Sequence, residues 1–206
     1  MDSLLEVKIK EIIEEIRNKK MIPIEASARH IHLSKKHLYA LFGENYKLNK
    51  LKDLSQPGQF LCKERVNLIG TKGVIENVAI LGPVRDKTQI EISKTDCIFL
   101  GVEAPYRDSG DLENSGDIFV GNRNKIIEIK SGLIIAKRHI HMTPKDAEYF
   151  NVIDKQMVKV KVLGERGLTF EKVLVRVSND SKLAMHIDFD EANACGYVSG
   201  LKGLIL

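Results

Sequence analysis

Two stretches decide how this chain is read: Ala28-Arg29-His30-Ile31-His32-Leu33-Ser34 and Lys137-Arg138-His139-Ile140-His141-Met142-Thr143. In each, an arginine precedes a His-Ile-His triplet, and an aliphatic residue and a hydroxyl residue follow it. The two triplets take four of the six histidines in the chain. On a β-strand, residues i and i+2 face the same way. Each triplet therefore aims two imidazoles at one place and buries its isoleucine on the other face. A rigid strand offering two nitrogens is a natural half of a metal site, and zinc is the default metal for imidazole with carboxylate. A single such triplet is as readily a pair of structural histidines. The repetition, with its arginine and its hydroxyl, favours metal at both.

Outward from each triplet the same unit repeats. A short apolar strand, about 21–28 or 133–136, enters the triplet. Ser34 or Thr143 then caps a short helix, Lys35 to Phe42 stopped by Gly43, or Pro144 to Phe150 ending near Asn151. Asp146 completes a capping-box pattern with Thr143, and Pro144 holds the favoured first helical position. Between and after the triplets the chain is β-rich. Residues 59–69, 73–82 and 88–92 read as strands, as do 156–163, 168–177 and 183–187, with glycine turns between them. Short strands, frequent turns and few helices predict closed β-barrels rather than a Rossmann sheet. No GxGxxG or Walker loop is present.

Composition excludes several classes. With 206 residues, 43% hydrophobic and 29% charged, the chain has the make-up of a globular protein in one or two domains. Its net charge of +4 comes from interleaved signs, without the basic block of a nucleic-acid tail. No run approaches the ~20 apolar residues of a membrane span. Cys62, Cys97 and Cys195 are odd in number and far apart, which fits a reducing cytosol. Residues 3–19 place Leu5, Ile9, Ile12, Ile13 and Ile16 at helical spacing, an amphipathic helix that packs on its own core or docks a partner.

Beyond the triplets, His186 in Ala184-Met185-His186-Ile187-Asp188 is the natural fifth nitrogen. Glu91 lies on the polar face of the strand Thr88-Gln89-Ile90-Glu91-Ile92, as a ligand or as a solvated carboxylate. Arg85 follows a Gly82-Pro83-Val84 turn and suits bidentate contact with phosphate or carboxylate. Arg107, beside Asp108, reads as structural, and His37 as a surface residue.

These motifs together closely resemble the PduL-type phosphotransacylases, the phosphate propanoyltransferases. The resemblance rests on Ser27 to Leu33, Gly82-Pro83-Val84-Arg85 with Thr88 to Glu91, and Ala104-Pro105-Tyr106-Arg107-Asp108-Ser109-Gly110. Arg138 to Met142, and His186 with Asp190-Glu191-Ala192-Asn193-Ala194-Cys195-Gly196, complete it. It runs from about residue 20 to the C-terminus. It implies a mainly β fold of two β-barrels capped by short helices, with the active site at their interface. Residues 21–28 plus 137–206 would form the first barrel and 29–136 the second, with a lid hairpin at about 59–74, behind an N-terminal helix over 1–20.

It further implies two Zn2+ ions per chain, one on His30, His32 and Glu91 and one on His139, His141 and His186. The first metal would then be partly anionic in its ligands and the second all imidazole. Arg85 would face phosphate, while Ser27, Lys52 and Asn193 would line the coenzyme A pocket. Ala79 stands where the family is expected to carry an arginine. Cys195 reads as a small buried residue, with a fourth-ligand role open through its closeness to His186.

The reaction implied is a short-chain acyl-CoA, propanoyl or acetyl, plus phosphate giving acyl phosphate and CoA. With no Ser-His-Asp or Cys-His pair, direct attack without an acyl-enzyme is expected. Two readings stay open beside it: a di-zinc hydrolase of an ester, thioester or amide, and a zinc-stabilised binding module without catalysis. The expected partners are acyl-CoA, CoA and phosphate, not nucleic acid or membrane. A homodimer and a role in propanediol degradation inside a bacterial microcompartment, reached through residues 1–20, extend the cytoplasmic expectation.

Overall fold

The computed structural model describes residues 7–9 and 20–206. Residues 7–9 are helical; the rest of the amphipathic helix expected over 3–19 lies outside the described residues. From Met21 onward the chain is mainly β, with short helices between strands. No helix among the described residues is long and apolar enough to cross a membrane.

The chain divides into two compact units. One takes the residues up to Ala26, Arg138–Ile187 and Glu191–Leu206; the other takes Ser27–Lys137 and Asp188–Asp190. In the first unit, six strands close a barrel. They are β1 (Met21–Ala26), β10 (His139–Met142), β11 (Met157–Val162), β12 (Thr169–Val177), β13 (Ala184–Ile187) and β14 (Lys202–Ile205). Around the barrel they run β1-β13-β10-β12-β11-β14. Two helices belong to this stretch of chain: α3 (Pro144–Phe150) and α4 (Phe189–Ala194).

In the second unit the ring is β2 (His30–His32), β5 (Val74–Gly82), β4 (Phe60–Ile69), β8 (Gly116–Gly121), β9 (Ile126–Ala136) and β6 (Gln89–Glu91). Each of these strands pairs with the next, and β6 pairs back to β2. Strands β3 (Lys50–Asp53) and β7 (Tyr106–Arg107) add to its edges, and helices α1 (Lys35–Phe42) and α2 (Lys94–Leu100) follow β2 and β6.

The two rings have the same pattern of strand directions. Each triplet strand has a parallel neighbour on one side (β5 or β12) and an antiparallel one on the other (β6 or β13). The match pairs β2 with β10, β4 with β11, β5 with β12, β6 with β13, β8 with β14 and β9 with β1. Two strands are exchanged. β1 precedes β2 in the chain but closes the barrel of β10, while β9 precedes β10 and closes the barrel of β2. The chain therefore leaves one unit at each triplet and enters the other.

Local chemistry fixes the ends of the elements. Ser34 accepts from the His37 amide at the start of α1. Thr143 and Asp146 form the capping box expected at α3, and Asn151 ends that helix in the left-handed region. Ser93 with Asp96 makes the same box at α2. That Ser-x-x-Asp signal was present in the sequence, but the seven-residue helix it starts is too short to show a clear period. Close approach explains some glycines: a Cβ at Gly70 would lie 2.1 Å from the Leu100 carbonyl oxygen, and one at Gly82 would lie 2.2 Å from the Phe60 ring.

Each unit has its own core. Ile31 and Ile140, the middle residues of the triplets, are both fully buried, in separate clusters. Large-to-small changes at such positions remove apolar contact and leave a cavity. Ile31→Ala and Ile140→Ala should each lower the unfolding free energy by about 2–5 kcal/mol in urea titrations, whereas loss of less than about 1 kcal/mol would contradict the packing described.

Candidate metal centre and phosphate arginine

In the first unit the site begins with strand register. β13 runs antiparallel to β10, so His186 stands directly opposite His139, Met185 opposite Ile140 and Ala184 opposite His141. Directly opposed residues share a face. The third imidazole thus joins the two that the triplet already aims that way.

The His139 Nε2 and His141 Nε2 atoms lie 3.1 Å apart. The ring centroids are separated by 4.7 Å for His139–His141, 5.4 Å for His139–His186 and 4.8 Å for His141–His186, all edge to face. One nitrogen from each ring comes within 4.8 Å of the others, the one such metal-capable trio among the described residues. Burial holds the His141 pKa down at about 3, with help from His139, His186 and Arg176. Three imidazoles gathered this closely, one of them kept neutral, present lone pairs to a common point. That donor set fits zinc with a position left for another ligand.

In the second unit the register repeats. His30 stands opposite Glu91 and His32 opposite Gln89 across β2 and β6. The His30 Nδ1 lies 2.7 Å from the Ala28 carbonyl, which can only accept, so Nδ1 is the donor in that contact. The Nε2 of the same ring faces the Glu91 Oε2 at 3.6 Å. An imidazole nitrogen and a carboxylate oxygen brought together are both ligand types that zinc takes. Glu91 is held for this. Its Oε1 accepts from Gln89 Nε2 at 2.6 Å and from Ser109 Oγ at 2.6 Å. Gln89 in turn is fixed by the Gly110 amide at 2.9 Å.

His32 is nearly fully buried, and its Nδ1 has no hydrogen-bond partner. Burial lowers its pKa to about 2, with His30 and Arg85 adding repulsion. His30, His32 and Glu91 are not drawn as tightly together as the trio of the first unit.

Arg85 reaches this neighbourhood because its amide bonds to the Leu33 carbonyl at 2.9 Å, just past the triplet. The first unit has a comparable group: Arg176 on β12 stands beside His141. Nothing in the sequence around Arg176 marks it, since it reads as an ordinary outward residue of an alternating strand. Glu25 was missed for the same reason. It pairs with His186 across β1 and β13, with Oε2 3.2 Å from His186 Nε2.

Of the expected coenzyme A contacts, Ser27 is half-buried, Lys52 is exposed on β3 and Asn193 is exposed on α4. Ala79 stands beside His30 on β5. Cys195 is buried with its thiol directed to the Ala192 carbonyl, apart from the trio. His37, expected on the surface, is instead half-buried. Its Nδ1 lies 2.8 Å from Thr88 Oγ1, which also accepts from the Ser34 amide. The helix turn after Ser34 brings it back over β6, a contact that spacing alone does not reveal.

The family model described as phosphate propanoyltransferase matches residues 23–198. A phosphate propanoyltransferase of Clostridioides difficile is 53% identical over 206 residues, covering all of this chain and 99% of that protein. One from Sebaldella termitidis is 51% identical over 205 residues, covering all of this chain and 96% of that protein. A third, from Thermotoga maritima, is 53% identical over 188 residues, or 91% of this chain and 90% of its own.

His32 and His141 have an acid cost built in. Unfolded, each binds a proton below its ordinary pKa of 6.5; folded, each resists until about 2 and about 3. Stability from these groups is therefore complete above 6.5 and drains away as pH falls towards 3. Urea titrations of metal-free protein should show that decline, and a flat profile across the window would contradict it.

Proposed function

The chain belongs to the phosphate propanoyltransferase family and is an acyltransferase; from that premise we propose that it moves a propanoyl or acetyl group between coenzyme A and inorganic phosphate, with zinc as its cofactor. The observation that carries the zinc part is the convergence of His139, His141 and His186 on one point with His141 held neutral. A second zinc is assigned to His30, His32 and Glu91, supported by the closeness of the His30 Nε2 and the Glu91 Oε2 at 3.6 Å.

In the proposed reaction a phosphate oxygen bonds to the thioester carbonyl carbon and the carbon–sulfur bond breaks. The electron pair leaves on sulfur, and the proton of hydrogen phosphate ends on the CoA thiol. Phosphate is a weak nucleophile unless held and oriented, and Arg85 is the residue assigned to hold it. Its planar guanidinium offers paired donors to phosphate oxygens. Gln89 and Ser109 keep Glu91 in one orientation, beside His30. Zinc, when bound, would supply a Lewis acid for the developing negative charge and a soft partner for the departing thiolate.

Direct transfer is supported by the state of the cysteines. All three are buried, and desolvation raises each thiol, Cys62 to about 11. A thiol kept protonated is a poor nucleophile. Ser27, Lys52 and Asn193 are proposed as coenzyme A contacts, and residues 1–20 as the segment that associates with a microcompartment. A homodimer is part of the same reading.

Purified protein should consume propanoyl-CoA or acetyl-CoA only when phosphate is added, with acyl phosphate trapped by hydroxylamine. CoA release without phosphate would make it a hydrolase instead. Arg85→Ala should reduce turnover by about a hundredfold or more with zinc content unchanged. His139→Ala should lower zinc content, measured by elemental analysis of the same preparations.

A further inference from the structure

We propose that Glu25 belongs to the metal centre of the first unit, as the carboxylate that positions His186; this rests on the reading that zinc binds His139, His141 and His186. The argument begins with three adjacent strands. Glu25 on β1 stands opposite His186 on β13, and His186 stands opposite His139 on β10. Directly paired residues share a sheet face, so one row across the barrel reads carboxylate, imidazole, imidazole. On the other face of β1, Ile22 and Ile24 fill the core.

Contact makes the row specific. Glu25 Oε2 lies 3.2 Å from His186 Nε2. A carboxylate only accepts, so Nε2 is the donor in this contact and Nδ1 is the nitrogen left for a metal. A histidine whose far nitrogen donates to a carboxylate is fixed in tautomer and ring angle and becomes a stronger metal donor.

Comparison of the two rings gives an independent line. In the second unit, the residue opposite His30 is itself a carboxylate, Glu91, and its neighbour on the next strand is the fully buried Ile134. In the first unit the residue opposite His139 is His186, and its neighbour on the next strand is Glu25. Each half-site thus has one carboxylate in the same row, displaced by one strand. A plain surface ion pair would have no reason to fall at that position of a row that already holds two of the trio.

The test measures zinc affinity by chelator competition on the full-length protein, with circular dichroism to confirm folding. Glu25→Ala should bind zinc at the trio about 10–100-fold more weakly, and Glu25→Asp should recover part of the loss. Glu171→Gln, at an exposed ion pair with Lys159 on the same unit, should bind like the wild type. Nitrogen chemical shifts of the His186 ring in the metal-free protein should show the proton on Nε2 in the wild type and a mixture of tautomers in Glu25→Ala. Wild-type zinc affinity in folded Glu25→Ala, or no recovery in folded Glu25→Asp, would overturn the inference. Should His139→Ala bind zinc as tightly as the wild type, the zinc reading itself fails, and Glu25 falls with it.

Discussion

The antiparallel register between each triplet strand and its partner is the constraint on which the rest depends. One residue of slip between β10 and β13 would turn His186 to the opposite face, because side chains alternate along a strand. The same slip between β2 and β6 would separate Glu91 from His30. Register is held from the core side: Ile31 pairs with Ile90, and Ile140 with Met185, all fully buried. Apolar packing on one face thus sets the position of the polar groups on the other. Barrel closure reinforces it, since a strand paired on both sides cannot shift without breaking two ladders.

Electrostatics explains why such a cluster is unusual without a cation. Buried imidazoles lose their proton because the charged form is poorly solvated there, which is what His32 and His141 do. A neutral ring keeps one nitrogen lone pair that a cation can take. In the second unit the His30 Nε2 faces a Glu91 carboxylate oxygen at 3.6 Å. Imidazole nitrogens and carboxylate oxygens gathered in this way are the ligand types that a zinc ion takes. The donors of Gln89 and Ser109 hold one oxygen of Glu91, and the other stands 3.6 Å from His30 Nε2.

The matching strand order of the two rings, with β1 and β9 exchanged, ties the site to the chain's path. Because β1 closes the barrel of the second triplet, a carboxylate just upstream of the first triplet arrives beside His186. Chemistry at one triplet therefore depends on sequence adjoining the other. The half-sites are not copies: one has its carboxylate on the strand next to the triplet, the other one strand further on.

By itself, the sequence determined the elements that follow from local chemistry. The triplet strands, the capped helices after Ser34 and Thr143, and the strands bounded by glycine turns were all legible, because hydrophobic period and cap residues act within a few positions. The repeated Arg-His-Ile-His raised the expectation of a pair of metal half-sites, and its further candidates, His186 and Glu91, stand opposite triplet histidines. Tertiary structure alone decided which side chains those triplets meet. Glu25, Arg176 and Ser109 are ordinary residues in their own segments, and His37 looked like a surface group. They meet His186, His141, Glu91 or Thr88 only through register and the exchange of β1 and β9. Those pairings join positions more than a hundred residues apart in the case of Glu25 and His186, and no local period encodes them. They are set by which apolar faces can close a barrel together.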